Sequence, residues 1–176
     1  MKYLLLIILL SVPAACFCQN KMLTVSLNGI GDIKTGMKKE TVERLLKQKF
    51  APGQHRIDWS VDTLFCQYKH VGYMLVFKKN YEETPPGVYL KEVNCSAPQL
   101  KTRSGIGVGT DKHKIINTYA DYRMEIIPMY DSEARVQSKT KSTVWVYDSD
   151  TDKVIVFHLY RNKVESISAA LYQNLD

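Results

Sequence analysis

The stretch Gly105-Ile106-Gly107-Val108-Gly109-Thr110 invites comparison with the glycine-rich turn that cradles a dinucleotide pyrophosphate. That chemistry needs an apolar strand before the turn, a helix after it and a last glycine for close packing. Here no apolar strand precedes Gly105, and Thr110 takes the last glycine's place. The same Gly-Ile-Gly occurs at residues 29–31, which marks it as punctuation of a repeat rather than a phosphate site. Asp148, Asp150 and Asp152 alternate as calcium ligands do, yet Lys153 replaces the required glycine and no glutamate closes the loop, so a solvated turn is expected. The histidines, His55, His70, His113 and His158, stand alone, without the paired spacing of a metal site or an acidic neighbour to orient them. No serine lies in a nucleophile-elbow motif. We therefore expect no catalytic residues, no metal and no cofactor. Trp145, Tyr147, His158 and Tyr160 remain as the candidate site: large rings at strand spacing, of the types that anchor protein interfaces.

Residues 1–18 read as an export signal, with Lys2 at the charged start and a Leu4–Val12 apolar run too short to span a bilayer. Cleavage before Gln19 is the expected outcome. Ala14-Ala15-Cys16 is the competing feature, since acylation of Cys16 would anchor the chain to a membrane. Either way the destination is the periplasm or cell envelope. The chain has 176 residues and a formal charge of +6, or +5 without Lys2. Its bases are scattered in pairs such as Lys38-Lys39 and Lys78-Lys79, which argues against nucleic acid as a partner and leaves peripheral attraction to an anionic surface open. Cys66 and Cys95 are the cysteines beyond residue 18; opposite strand parity argues against pairing them, and a bridge requires the chain to turn.

Two similar blocks order the rest. Gly36 precedes Val42, Leu45, Leu46 and Phe50, a helical spacing over 38–49 that Pro52-Gly53 would end. Gly109 precedes Asp111, a helix cap, and Ile115, Ile116 and Tyr119 over 111–120. Each glycine suits a turn with positive φ. Strand-like runs follow in both blocks: 61–69, 73–78 and 88–93 in the first, 143–147, 154–160 and 164–169 in the second, with Tyr68 set against Tyr147 and Phe77 against Phe157. Residues 124–129 suggest an edge strand, since Pro128 cannot serve a central ladder, and 131–141 reads as a mobile loop. The expected fold is α+β, two tandem αβββ repeats over 19–98 and 99–176, with helices packed on antiparallel sheets. Alternation places Val144, Val146, Ile155, Phe157, Leu159, Leu75 and Phe77 against the helices. It places Trp145, Tyr147, Val154, Val156, His158, Tyr160, Leu64, Cys66, Tyr68, Met74 and Val76 on the other face.

The order of a glycine, a helix start and an apolar helix position, seen in Gly36-Met37 with Glu40 and Val42 and again in Gly109 with Ile115, resembles the tandem-repeat fold of the β-lactamase-inhibitor protein. It is also similar to the small outer-membrane lipoproteins of the β-barrel assembly machinery. Lys38 stands where that family often has a capping Thr or Ser, and neither repeat shows a second helix. The resemblance implies an exported, non-enzymatic envelope protein that binds another protein through its sheet. A small-ligand carrier using a cleft between the repeats is the second expectation, and a hydrolase without a recognised motif the third.

Overall fold

The computed structural model describes residues 23–50, the backbone of 56–58, and 61–172. The export signal, Cys16, His55 and Pro52-Gly53 lie outside the described residues. Twelve strands and two helices follow in chain order: β1 (Leu23–Ser26), β2 (Gly29–Ile30), β3 (Ile33–Lys34), α1 (Lys39–Leu46), β4 (Arg56–Asp58), β5 (Val61–Tyr68), β6 (Val71–Asn80), β7 (Gly87–Cys95), β8 (Leu100–Thr102), α2 (Lys112–Thr118), β9 (Met124–Asp131), β10 (Val136–Tyr147), β11 (Lys153–Tyr160) and β12 (Lys163–Leu171). One antiparallel sheet takes eight strands in the order β4-β5-β6-β7-β12-β11-β10-β9, and a four-stranded sheet, β3-β2-β1-β8, joins β1 to β8 in parallel.

This corrects the α+β expectation of helices packed on sheets. The described chain is mostly β, 56% strand and 11% helix. Both helices are too short to form a layer. α1 ends three residues before the sequence pattern suggests, because Lys47 turns left-handed at φ 54° and its N–H, with that of Gln48, closes on the carbonyls of Arg44 and Glu43. α2 does begin under Asp111, whose carboxylate accepts from the His113 N–H at 2.9 Å. The helices give Val42, Leu46 and Ile115 to the core. Much of the remaining cover comes from the small sheet and its turns: Val25, Ile30, Ile33, Leu100 and Ile106, all 1% exposed or less.

Beneath them, one row of side chains crosses six strands: Leu64, Leu75, Val93, Ala169, Ile155 and Val146 are successive register partners, and all are buried. Burying each larger member is worth roughly 1.5–3 kcal/mol before chain entropy is charged against it. Leu64, Cys66 and Tyr68 thus face the core, not the opposite face as parity counting suggests. The turn that joins β5 to β6 is the two-residue Lys69-His70, both at positive φ, which pairs Tyr68 with Val71.

The large sheet is symmetric about its middle. Asn94 pairs with Ser168, flanked by Val93↔Ala169 and Cys95↔Ile167, so exchanging β7 with β12 maps the set onto itself. Leu90 exchanges hydrogen bonds with Gly36 and Met37, and Val164 does so with Gly109 and Thr110. The left-handed φ of 80° at Gly36 and 85° at Gly109 turns the chain from this contact into each helix. Lys91 is an extra residue opposite the Val76–Phe77 step, and Glu165 opposite the His158–Leu159 step, so the same bulge occurs twice. This register sets Leu75 against Phe157, Phe77 against Leu159 and Gln67 against Tyr147, displacing the Phe77/Phe157 and Tyr68/Tyr147 matches read from sequence order. The two halves share one continuous sheet, joined by β7 and β12.

Two further expectations change. Residues 136–141 belong to β10, which pairs with edge strand β9 in a long hairpin, where a mobile loop was expected over 131–141. Cys66 and Cys95 lie on the same face, both buried and unpaired, with β6 between their strands. Two strand spacings, about 9.5 Å, exceed the Cα separation a disulfide spans. Burial pushes the Cys66 thiol up to about 11 and raises that of Cys95. Neither is poised as a thiolate nucleophile.

Candidate functional site

The face turned away from the core carries the candidate residues. Trp145↔Val156, Tyr147↔Val154, Thr143↔His158 and Lys141↔Tyr160 are register pairs, so Trp145, Tyr147, His158 and Tyr160 all project to this side. Among the described residues the apolar cluster here, Tyr147, Val154, Val156 and Ala170 with Trp145 and Tyr172, is built from the sheet and the residue just past β12. Among the described residues, Tyr147 is covered by Tyr172, Arg123 and Glu125 rather than by the other half of the molecule or the 131–141 segment.

Three rings form a set. Trp145 and Tyr147 stack with centroids 6.2 Å apart, and Tyr172 meets them edge-on at 6.2 and 5.1 Å. Their orientations are fixed by polar contacts. The Trp145 Nε1–H donates to Thr143 Oγ1 at 2.9 Å. The Tyr147 hydroxyl donates to Glu125 at 3.0 Å, Glu125 in turn takes a 2.8 Å bond from Arg123, and the Arg123 guanidinium lies 4.6 Å over the Tyr147 ring. Burial, then the bond to Glu125, raises the Tyr147 phenol; Arg123, then Tyr147, holds the Glu125 carboxyl below its ordinary value. Tyr147 is 5% exposed and Trp145 half-buried. The first is a platform and the second presents its surface. Tyr160, 40% exposed, lies under the Arg161 guanidinium at 5.2 Å, at the far end of β11.

His158 belongs to a different group on the same face. Ser168, fully buried, donates to Glu92 at 2.6 Å; Asn94 donates to Ser168 at 2.8 Å and to Ser166 at 3.1 Å, and His158 Nε2 lies 2.9 Å from Ser168 Oγ. Because the serine hydroxyl donates to Glu92, the imidazole Nε2–H is the donor to Ser168, whose oxygen accepts two bonds, from Asn94 and His158, and gives one. This differs from the arrangement of a nucleophile, in which the histidine takes the serine proton. Burial lowers the His158 pKa, against the opposing pull of Glu92 and Glu165.

The sequence reading brought out Trp145, Tyr147, His158 and Tyr160 but missed Arg123, Glu125, Tyr172, Ser168, Asn94 and Glu92. Ser166, Ser168, Ala170 and Tyr172 alternate correctly, a signal obscured by the Glu165 bulge, which breaks the parity counted from Val164. The other histidines lie elsewhere: His70 in the β5–β6 turn and His113 against the α2 cap, both exposed.

The symmetry isolates what is particular to this face. Inward positions keep apolar character on exchange of the halves: Leu64 with Val144, Cys66 with Val146, Leu75 with Phe157, Phe77 with Leu159 and Val93 with Ile167. Outward, Thr143 answers to Thr63, Trp145 to Phe65 and Val156 to Met74, which keep their character, whereas Tyr147 answers to Gln67, His158 to Val76 and Tyr160 to Lys78. Packing constrains the inward set and does not account for the changes at Tyr147, His158 and Tyr160. No family model, curated protein or solved structure matches this chain.

Proposed function

We propose that this is a non-catalytic binding module of the cell envelope, taking a protein partner on the outward face of β10, β11 and β12. The observation that carries the reading is the contrast between the faces: inward pairs keep apolar character, whereas three outward pairs change, Gln67 to Tyr147, Val76 to His158 and Lys78 to Tyr160, which with Tyr172 adds rings beside Trp145 in one half. Rings of these types dominate interface hot spots because they bury large area at small entropic cost. The bonds from Trp145 to Thr143 and from Tyr147 to Glu125 orient the rings before any partner arrives, which lowers the cost of ordering them on binding. The export signal read in residues 1–18 supplies the location, and the saturated Ser168 hydroxyl favours a structural role for the His158 group.

The test is capture of partners from envelope fractions with the parent chain and with Trp145→Ala/Tyr160→Ala. These residues are exposed enough to alter without collapsing the platform, unlike Tyr147. We expect a protein that the parent retains and the double variant loses at unchanged circular dichroism. Equal retention by both chains would remove the site from this face.

A further inference from the structure

The β9–β10 hairpin extends past the body of the sheet as an arm. Ile126, Ile127, Met129 and Tyr130 on the edge strand are 42–64% exposed, with Val136 opposite at 57%. A run of apolar residues left this open on an edge strand is unusual, since edges are ordinarily protected by charge or cover. Charge is present, but on the neighbouring strand. Residues 138–141 form a bulge opposite Met129, and the Arg161 N–H donates to the Thr140 carbonyl at 2.7 Å, pinning the bulge to the β11–β12 turn. Lys139, Lys141 and Arg161 are thereby gathered beside the apolar strip, all exposed.

We infer that this arm docks on an anionic lipid surface, lying along it with Ile127 and Met129 at the headgroup boundary and Lys139, Lys141 and Arg161 against lipid phosphates. Ile127 and Met129 alternate to one face of β9, that of Lys141, and Ile126 and Tyr130 to the other; an apolar pair bordered by cations is the pattern that interfacial segments use. At the base of the arm Arg123 and Glu125 pair with each other; beyond them Arg135, Lys139 and Lys141 exceed Asp131 and Glu133 by one positive charge, and Arg161 of the neighbouring β11–β12 turn adds a second. Asp131 and Glu133 sit at the tip, where Asp131 Oδ1 accepts from the N–H groups of Glu133 and Ala134. Their position favours contact along the side of the arm over insertion by the tip. The unpaired backbone of an edge strand also keeps the arm at headgroup level, where water remains available. Pro128 in the middle of β9 removes a donor, which disfavours the alternative in which another chain adds a strand there.

Vesicle co-sedimentation tests this with a Cys16→Ser chain, which cannot be acylated at that position. Vesicles rich in phosphatidylglycerol should bind it, pure phosphatidylcholine should not, and salt should release it. Since each cation near an anionic surface contributes roughly fivefold in affinity, Lys139→Glu/Lys141→Glu should weaken binding by about 25-fold or more. Ile127→Ser/Met129→Ser should weaken it as well, and Trp145→Ala should leave it intact, separating this result from that for the protein-binding face. All the altered residues on the arm are exposed, so the fold, read by near-ultraviolet circular dichroism, should persist. Binding unaffected by both arm variants, equal binding to neutral vesicles, or no binding at all would overturn the inference. So would a dimer in solution that Ile127→Ser/Met129→Ser abolishes while vesicle binding stays unchanged, which would make a second copy the occupant.

Discussion

Thr63 and Thr143 occupy equivalent places in the two halves, and replacing each by valine should change stability in opposite directions. Thr143 Oγ1 accepts the Trp145 indole N–H at 2.9 Å and donates to the Ile127 carbonyl at 3.4 Å. Thr63 stands opposite Val76 as Thr143 stands opposite His158, but the residue two further on is Phe65, which has no N–H to give. Its hydroxyl is buried with no hydrogen-bond partner among the described residues. Valine matches threonine in shape and removes only the hydroxyl. At Thr63 that relieves an unsatisfied buried group, worth about 1–3 kcal/mol where burial is complete. With Thr63 still 8% exposed the lower end applies, and we expect Thr63→Val to stabilise by about 1 kcal/mol. At Thr143 the substitution breaks one good bond and one long one, a loss of about 1–2 kcal/mol, moderated because half-buried Trp145 can turn to water. The two variants should therefore differ by about 2–3 kcal/mol, well outside the error of urea unfolding followed by Trp and Tyr fluorescence. If Thr63→Val destabilised the chain as much as Thr143→Val, the assigned register and the orphan hydroxyl would both be wrong.

Other outcomes follow from the same geometry. Phe157 is fully buried, 5.8 Å from the Tyr119 ring, so Phe157→Ala should cost about 3–5 kcal/mol, whereas Tyr130→Ala on the exposed arm should stay within about 0.5 kcal/mol; thermal unfolding distinguishes them. Burial lowers the His158 pKa below its ordinary 6.5, so between the two values the unfolded chain holds more protons than the folded one. Stability should fall as pH drops through about 6.5 and stop falling, for this group, below the folded value. His158→Gln should remove that part of the slope, and an unchanged profile in denaturant titrations across this range would show that His158 is not held neutral.

Much of the second half was legible because its alternation is clean: Val144, Val146, Ile155, Phe157 and Leu159 face the core, and Trp145, Tyr147, His158 and Tyr160 oppose them. The paired glycines 36 and 109 were legible because positive φ admits few other residues. The first half misled through one turn. A three-residue turn at 70–72 puts Leu64, Cys66 and Tyr68 outward, whereas the actual Lys69-His70 turn is one residue shorter and shifts the whole strand to the other face. The helices were overestimated because Val42, Leu45, Leu46 and Phe50 keep helical spacing through a left-handed Lys47, which periodicity does not register. The parallel pairing of β1 with β8 joins segments more than seventy residues apart, and no local pattern announces it. The polar set of Glu92, Asn94 and Ser168 was hidden for the same reason, since its members meet only when β7 lies beside β12.

Photo-crosslinking in intact cells tests whether the outward face of the second half receives a protein partner. A photoreactive phenylalanine replaces Tyr160 in one chain and Tyr122 in another; both are exposed, at 40% and 53%, but the Tyr122 ring packs on Tyr119, which contacts Phe157 on the core side of the sheet. A discrete protein adduct is expected from position 160 that Trp145→Ala diminishes, and none of that adduct from position 122. Adducts from position 122 alone, or equally from both, would contradict a partner on the outward face.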